Sequence, residues 1–205
     1  PTWVNCVLRA TDFFLKLKNS LNSSEQIHMR VEGMNWGLAS NSIHFLDLFS
    51  FFTGCQDFTF TKVKFNHVEP YLKRPNSKEF LGEMAGKNSR GHNLFLSCKK
   101  NNGESGSKRE KTIQIDNGNI HHSVIIRSDH VVHKTVSGKN ETEEVVPMPV
   151  QSQITNQLVE SIIHEGSCGL PIYADSMVLH LCLIRTFLNH LIEITGKNVT
   201  RCPIT

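Results

Sequence analysis

Read by the spacing of its apolar positions, the chain falls into three parts. "TWVNCVL" reads as a short strand, and "TDFFLKLKNSL" puts Phe13, Phe14, Leu17 and Leu21 at helical spacing behind Thr11 or Asp12 as a cap. "NSLNSSEQ" is a loop, and "IHMRVEGMNW" alternates, which predicts a strand from Ile27 to about Trp36. Then comes "NWGLASNSIHFLDLFSFFTG", apolar almost all round. It predicts a helix capped by Ser40 or Asn41, running to about Thr53 and stopped by Gly54.

The period then changes to two. "DFTFTKVKFNHV" sets Phe58, Phe60, Lys62 and Lys64 on one face and Thr59, Thr61, Val63 and Phe65 on the other. "HNLFLSCKK", "KTIQIDN" and "HHSVIIRSD" predict further strands, joined by the turn signals "NNGESG" and "DNGN". "HKTVSGKNETEEVVPMPV" predicts one more hairpin or edge segment. Two helices follow. The first carries Ile154, Leu158, Ile162 and Ile163 and stops at Gly166. The second carries Met177, Leu181, Ile184, Leu188, Leu191 and Ile192 and stops at Gly196.

Strands grouped in the middle with helices at both ends predict an α+β fold over residues 1–205. It is a single, predominantly antiparallel or mixed open sheet with helices packed on one face. Apolar residues on both sides of "FTFTKVKF" and "HHSVIIR" predict that the open face pairs, giving a homo-oligomer through the sheet.

Composition narrows the function classes. Of 205 residues 39% are hydrophobic, enough for a core, and the net charge of +3 calls for neither nucleic acid nor an anionic membrane as partner. The basic run Lys99 to Lys111 is rich in Gly, Ser and Asn and reads as a solvated loop. Six scattered cysteines without CxxC spacing argue against a zinc ribbon or redox dithiol and for a reduced, cytoplasmic setting. The apolar runs fall short of a membrane span, no signal peptide is visible, and the sequons at Asn22, Asn140 and Asn198 read as chance. Among eleven histidines none belongs to a set with metal-ligand spacing; His121 and His122 alternate across a strand, so no metal is expected. His180 and His190 read as interface or surface residues. The chain opens at "PTWVNC", inside an apolar run and without Met, as a piece of a longer protein would.

Candidate chemistry lies in the apolar helix. Asn41, His44 and Asp47, three apart, share one face. In the first turn the helix dipole opposes a positive charge on His44, which keeps the ring neutral and available for acid/base work; a close Asp47 would orient it and raise its pKa. Equally, Asn41 is a cap, His44 a satisfied core histidine and Asp47 an exposed carboxylate. Trp36 either stacks on a sugar ring or packs in the core.

"VNCVLR", "FFLKLK", "VEGMNWGLASNSIHFLDLFSFFTG" and "YADSMVLHLCLIRTFLNHLIEITGKNVTRCPIT" together resemble the C-terminal domain of the glucose-fructose oxidoreductase / inositol dehydrogenase family (Gfo/Idh/MocA). The nearest look is to members linked with surface-polysaccharide sugars. His44 and Asp47 match the last two positions of the family's Asp-x-x-x-His-x-x-Asp motif, while its first Asp falls on Ser40. The resemblance implies a dihydrodipicolinate-reductase-like C-terminal domain that holds substrate and makes the oligomer contact. It implies hydride transfer between a sugar or nucleotide-sugar and NAD or NADP, with His44 as acid/base and Asn41, Asp47, Trp36 and Arg9 at the substrate. The family's glycine fingerprint and Glu-Lys-Pro lysine belong to an N-terminal Rossmann domain, and neither motif occurs here, so this chain would not be active alone. The alternative is a non-catalytic module that dimerises through its sheet or binds carbohydrate.

Overall fold

The computed structural model describes residues 2–70, 76–101 and 110–204. A 3-10 turn, Val7–Ala10, leads into α1 (Asp12–Ser20), β1 (Ile27–Met34) and α2 (Leu38–Thr53). Seven more strands follow: β2 (Thr59–Pro70), β3 (Lys78–Lys87), β4 (Asn93–Lys99), β5 (Lys111–Asn117), β6 (Ile120–Ile126), β7 (His130–Ser137) and β8 (Asn140–Pro147). Helices α3 (Gln151–Glu165) and α4 (Tyr173–Thr195) close the chain. The strands form one sheet in the order β2-β3-β4-β1-β5-β6-β7-β8. Every neighbouring pair is antiparallel except β1 with β4. This is the predicted mixed α+β sheet.

Strand alternation explains where the core sits. One row across the sheet runs Leu96, Val31, Ile113, Val124, His133, Glu144, buried through its first four members and polar only at the β7–β8 wing. The row on the opposite face reads Phe95, Arg30, Gln114, Ser123, Lys134, Glu143. Helices cover the first face and leave the second free. Arg30 lies over the Phe95 ring there, 4.3 Å from its centroid.

Helix α2 is apolar on nearly every side because it lies between two layers. Its contacts run to β1, β3 and β4 below and to α4 and the 3-10 turn above. Leu38, Phe45, Leu46, Leu48 and Phe49 are buried together. Gly54 closes it in the left-handed conformation (φ 62°).

Several expectations change. "TWVNCVL" is not a strand: Trp3 makes a single antiparallel bridge to Ile172, and the chain then tightens into the 3-10 turn. α2 begins at Leu38 after Gly37 rather than after Ser40 or Asn41, so His44 lies in the second turn, beyond the reach of the dipole argument. The expected buried face of α4 is off by part of a turn. Leu179, Leu183, Phe187 and Leu191 are buried, whereas Met177, Leu181 and Ile192 are exposed. This helix is also long and apolar enough, by length and composition, to cross a membrane, contrary to the expectation from run length; here it packs on α2 and β2. Most of the Lys99–Lys111 loop lies outside the described residues.

Strand β3 was not predicted. "KEFLGEMAGK" lacks β-branched residues, and its glycines are there for close approach. A Cβ on Gly82 (φ 142°) would lie 2.2 Å from the Lys64 carbonyl oxygen, beside the bulge in β2. The strand that sequence pattern hides brings Glu79 to the start of α2.

Candidate active site

The link from β1 to α2 is a tight, fully bonded turn. Asn35 (φ 50°) and Gly37 (φ 74°) take left-handed backbone conformations, and Asn35 Oδ1 accepts from the Asn101 amide at 3.1 Å. Gly37 N–H donates to Cys98 Sγ at 3.3 Å. Asn41 Nδ2 donates to Trp36 O, to Gly37 O at 3.3 Å and to Ser40 Oγ at 2.8 Å. The amide donor expected to meet substrate is therefore spent on its own turn. Trp36 is buried (4% exposed), donates Nε1–H to Ser97 O at 2.8 Å and meets Phe45 edge-on at 5.3 Å. Its ring is core, which corrects its assignment to a sugar surface.

His44 and Asp47 do not touch each other's charge as expected. Asp47 is buried and faces Arg9, whose Nη1 donates to Asp47 Oδ1 at 3.2 Å. Arg9 also lies 4.6 Å from the Phe51 ring centroid. Burial pushes the Asp47 carboxyl up to about 6, and Arg9 opposes the rise without cancelling it. His44 is half-buried, and its pKa is lowered by burial first and then by the charges of His180 and Lys111. The ring is thus held neutral, as predicted, but by desolvation rather than by the helix dipole.

Three neighbours went unforeseen. Ser176 and His180, one turn apart on α4, lie over this cluster, with His180 Nδ1–H donating to Ser176 O at 2.8 Å. The Cys6 thiol lies beside Asp47, Arg9 and Ser176, and burial drives its pKa up to about 12, so it is an inert thiol here. Nothing in the spacing of Cys6, Ser176 or His180 marks them; only the bridge of Trp3 to Ile172, which joins the chain's two ends, brings them in.

Satisfaction is incomplete at this junction. Arg9 Nε, His44 Nδ1 and Asp47 Oδ2 are all buried without a hydrogen-bond partner. With Nδ1 sealed, Nε2 is the nitrogen left on His44. The arrangement can therefore exchange a proton at Nε2 of His44. Among the described residues no group of three or more His, Cys, Asp or Glu could hold a metal ion. The start of α2 is no phosphate cradle either, since the Gly37 and Ala39 amides are both taken.

A cavity of about 680 Å³ opens elsewhere, between α1, the β7–β8 wing and α3, and is lined in part by Lys16, His133, Glu144, Met148 and Gln153. None of the five predicted site residues lines it.

Comparison with known proteins finds the fold and not the sequence. No family model matches the chain, and a search of curated proteins gives no match. Solved structures do match. A mutant of KijD10, a 3-ketoreductase from Actinomadura kijaniata in complex with TDP-benzene and NADP, has 11% identity and a TM-score of 0.62 over 90% of this chain and 60% of that one. UDP-N-acetylglucosamine 3-dehydrogenase GnnA from Acidithiobacillus ferrooxidans has 12% identity and a TM-score of 0.55 over 87% and 57%. A super-repressor mutant of Gal80p from Saccharomyces cerevisiae has 13% identity and a TM-score of 0.59 over 94% and 63%. The fold is that of the C-terminal domain of Gfo/Idh/MocA-type oxidoreductases. The chain spans about three fifths of the length of the solved chains it matches.

Proposed function

We propose that this chain is the substrate-binding and oligomerising part of an NAD(P)-dependent oxidoreductase acting on a sugar or nucleotide-sugar. The observation that carries the reading is a neutral, half-buried His44 on the same helix as the buried Asp47 that pairs with Arg9, in a fold shared with an NADP-bound ketoreductase and a nucleotide-sugar dehydrogenase. The nicotinamide, when bound, supplies the hydride chemistry, and its dinucleotide is held mainly by a domain outside these 205 residues. His44 Nε2 takes the proton of the reacting hydroxyl, or returns it in the reverse direction. For Nε2 to accept, Nδ1 must carry the ring hydrogen, and that buried N–H meets no acceptor. The imidazolium so formed is destabilised and gives its proton up readily. The resemblance of "GLASNSIHFLD" to polysaccharide-linked members leads us to assign a cytoplasmic role in surface-polysaccharide sugar metabolism, as a homo-oligomer joined through the open sheet face.

The test uses the full-length protein with NAD or NADP and a panel of UDP- and TDP-sugars. His44→Ala is expected to lower turnover by roughly 10²-fold or more. Unchanged turnover overturns the assignment of His44. A second reading is favoured by the match to a super-repressor mutant of Gal80p, a transcriptional regulator with this fold: a non-catalytic module that dimerises through its sheet or binds carbohydrate. Sugar-dependent binding without nicotinamide-linked turnover would select it, and a monomer in sedimentation counts against the paired sheet in either case.

A further inference from the structure

Helix α2 lacks the parts that normally hold a helix start. Its N-cap is Gly37, which has no side chain to accept from the first turn, and no acidic residue occupies that turn. The third helical position, where an acidic or amide side chain serves best, is Ser40. The missing acceptor arrives from another element. Glu79, at the start of β3, accepts from the Ala39 amide through Oε1 at 2.5 Å and from the Ser40 hydroxyl through Oε2 at 2.6 Å. Its own strand steadies it, with the Phe80 amide donating to Oε1 at 3.1 Å.

Space has been kept for this carboxylate. A Cβ built on Gly37 would lie 2.3 Å from Glu79 Oε2 and 2.8 Å from Ser40 Oγ, so any other residue at 37 would expel it. The bonds then run on. Ser40 Oγ accepts from Asn41 Nδ2, which also holds the carbonyls of Trp36 and Gly37. One turn further along the same face is His44.

We propose that Glu79 is the positioning residue for His44: a cap supplied in trans by β3 that fixes the start of α2 and, through Ser40 and Asn41, the place of the imidazole. This inference rests on the reading of His44 as the acid/base group. Helix capping alone would need only one of the two oxygens; the second, on Ser40, ties the cap to the polar stripe.

The experiment is a proton NMR titration of the histidine rings in the 205-residue chain, with amide exchange followed at Ala39 and Ser40. Glu79→Ala is expected to speed exchange at those amides by roughly fivefold to tenfold, as loss of a cap does. It should also move the His44 ring signals and raise the titration midpoint of His44 towards that of an exposed histidine. Ser40→Asp added to Glu79→Ala returns the carboxylate from within the helix and should restore both readouts. Glu79→Gln, which keeps the shape, covers the case in which the alanine variant does not fold, and should give the same changes in smaller measure. Faster exchange with an unmoved His44 titration would reduce Glu79 to a cap and overturn the proposal, as would failure of Ser40→Asp to restore the His44 signals. None of these readouts depends on turnover, so they stand apart from the His44→Ala result.

Discussion

Two polar clusters among the described residues, the β6–β8 wing and the Arg9–Asp47 junction, are built differently. At the β6–β8 wing, beneath Phe13 of α1, Glu144 Oε1 meets His133 Nδ1 at 2.9 Å, His133 Nε2 meets His122 Nδ1 at 3.2 Å, and Thr135 Oγ1 lies within 3.3 Å of both rings. Glu144 is opposite His133 and Thr135 opposite His122 in register, while His122 meets His133 on the diagonal and Thr135 lies two residues along β7 from His133, so the sheet itself makes the ladder, and only His122 Nε2 is left over. The Arg9–Asp47–His44 cluster draws on segments far apart in the chain, and three of its buried atoms have no partner. A ladder set by strand register is nearly complete because pairing and polarity come from the same alternation. A cluster assembled from a turn and two helices has no such rule, and unsatisfied atoms remain in it.

The sharpest way to break the comparison is to unpair the buried carboxylate. Arg9→Met is expected to cost about 3 kcal/mol in urea unfolding above neutral pH, and less at pH 5, where Asp47 takes up a proton. An equal loss at both pH values would show that the ion pair is not what holds this junction.

The next effect is one of sign. The folded-state pKa of Asp47, about 6, lies above its ordinary 3.8; its contribution is present below pH 3.8 and lost as pH rises through 6. Burial, and then the neighbouring His133 charge, lower His122 from 6.5 to about 4; its contribution is present above pH 6.5 and lost as pH falls through 4. The two slopes oppose each other, each worth about 3 kcal/mol across the window at about 1.4 kcal/mol per pKa unit. Asp47→Asn should therefore leave stability that rises with pH from 4 to 6.5, and His122→Gln stability that falls. Denaturant midpoints across a pH series measure both, and matching slopes in the two variants would refute the contrast. The smallest effect belongs to the outer rung. Glu144 has a side chain 61% exposed, and Glu144→Gln should cost less than about 1 kcal/mol by the same measurement.

Much of this fold is legible in the sequence, for stated reasons. β1 shows because Ile27, Met29 and Val31 alternate against the exposed His28 and Arg30, and α2 shows because Gly54 ends a continuous apolar run. β3 does not show, because its glycines answer to backbone crowding across the β2 bulge, which a linear pattern cannot contain. The site followed suit. His44 and Asp47 stand out by spacing, but the partner of Asp47 is 38 residues away, the cap of α2 comes from the hidden strand, and Trp36 and Asn41 serve the turn they sit in. Polar residues can be placed on a face from spacing alone. Whether they meet a ligand depends on which long-range partners have already claimed their hydrogen bonds.

The order of the strands has a consequence for synthesis. β1 is central, yet neither of its neighbours is local: β4 begins at Asn93 and β5 at Lys111. A chain made from its N-terminus completes α2, the most apolar helix, long before the strands beneath it are made and well before α4 is there to cover it. Until then the nascent chain carries an apolar helix and an unpaired strand side by side. Such a topology folds slowly, and it leaves its first-made elements open to chaperones and to copies of itself on neighbouring ribosomes.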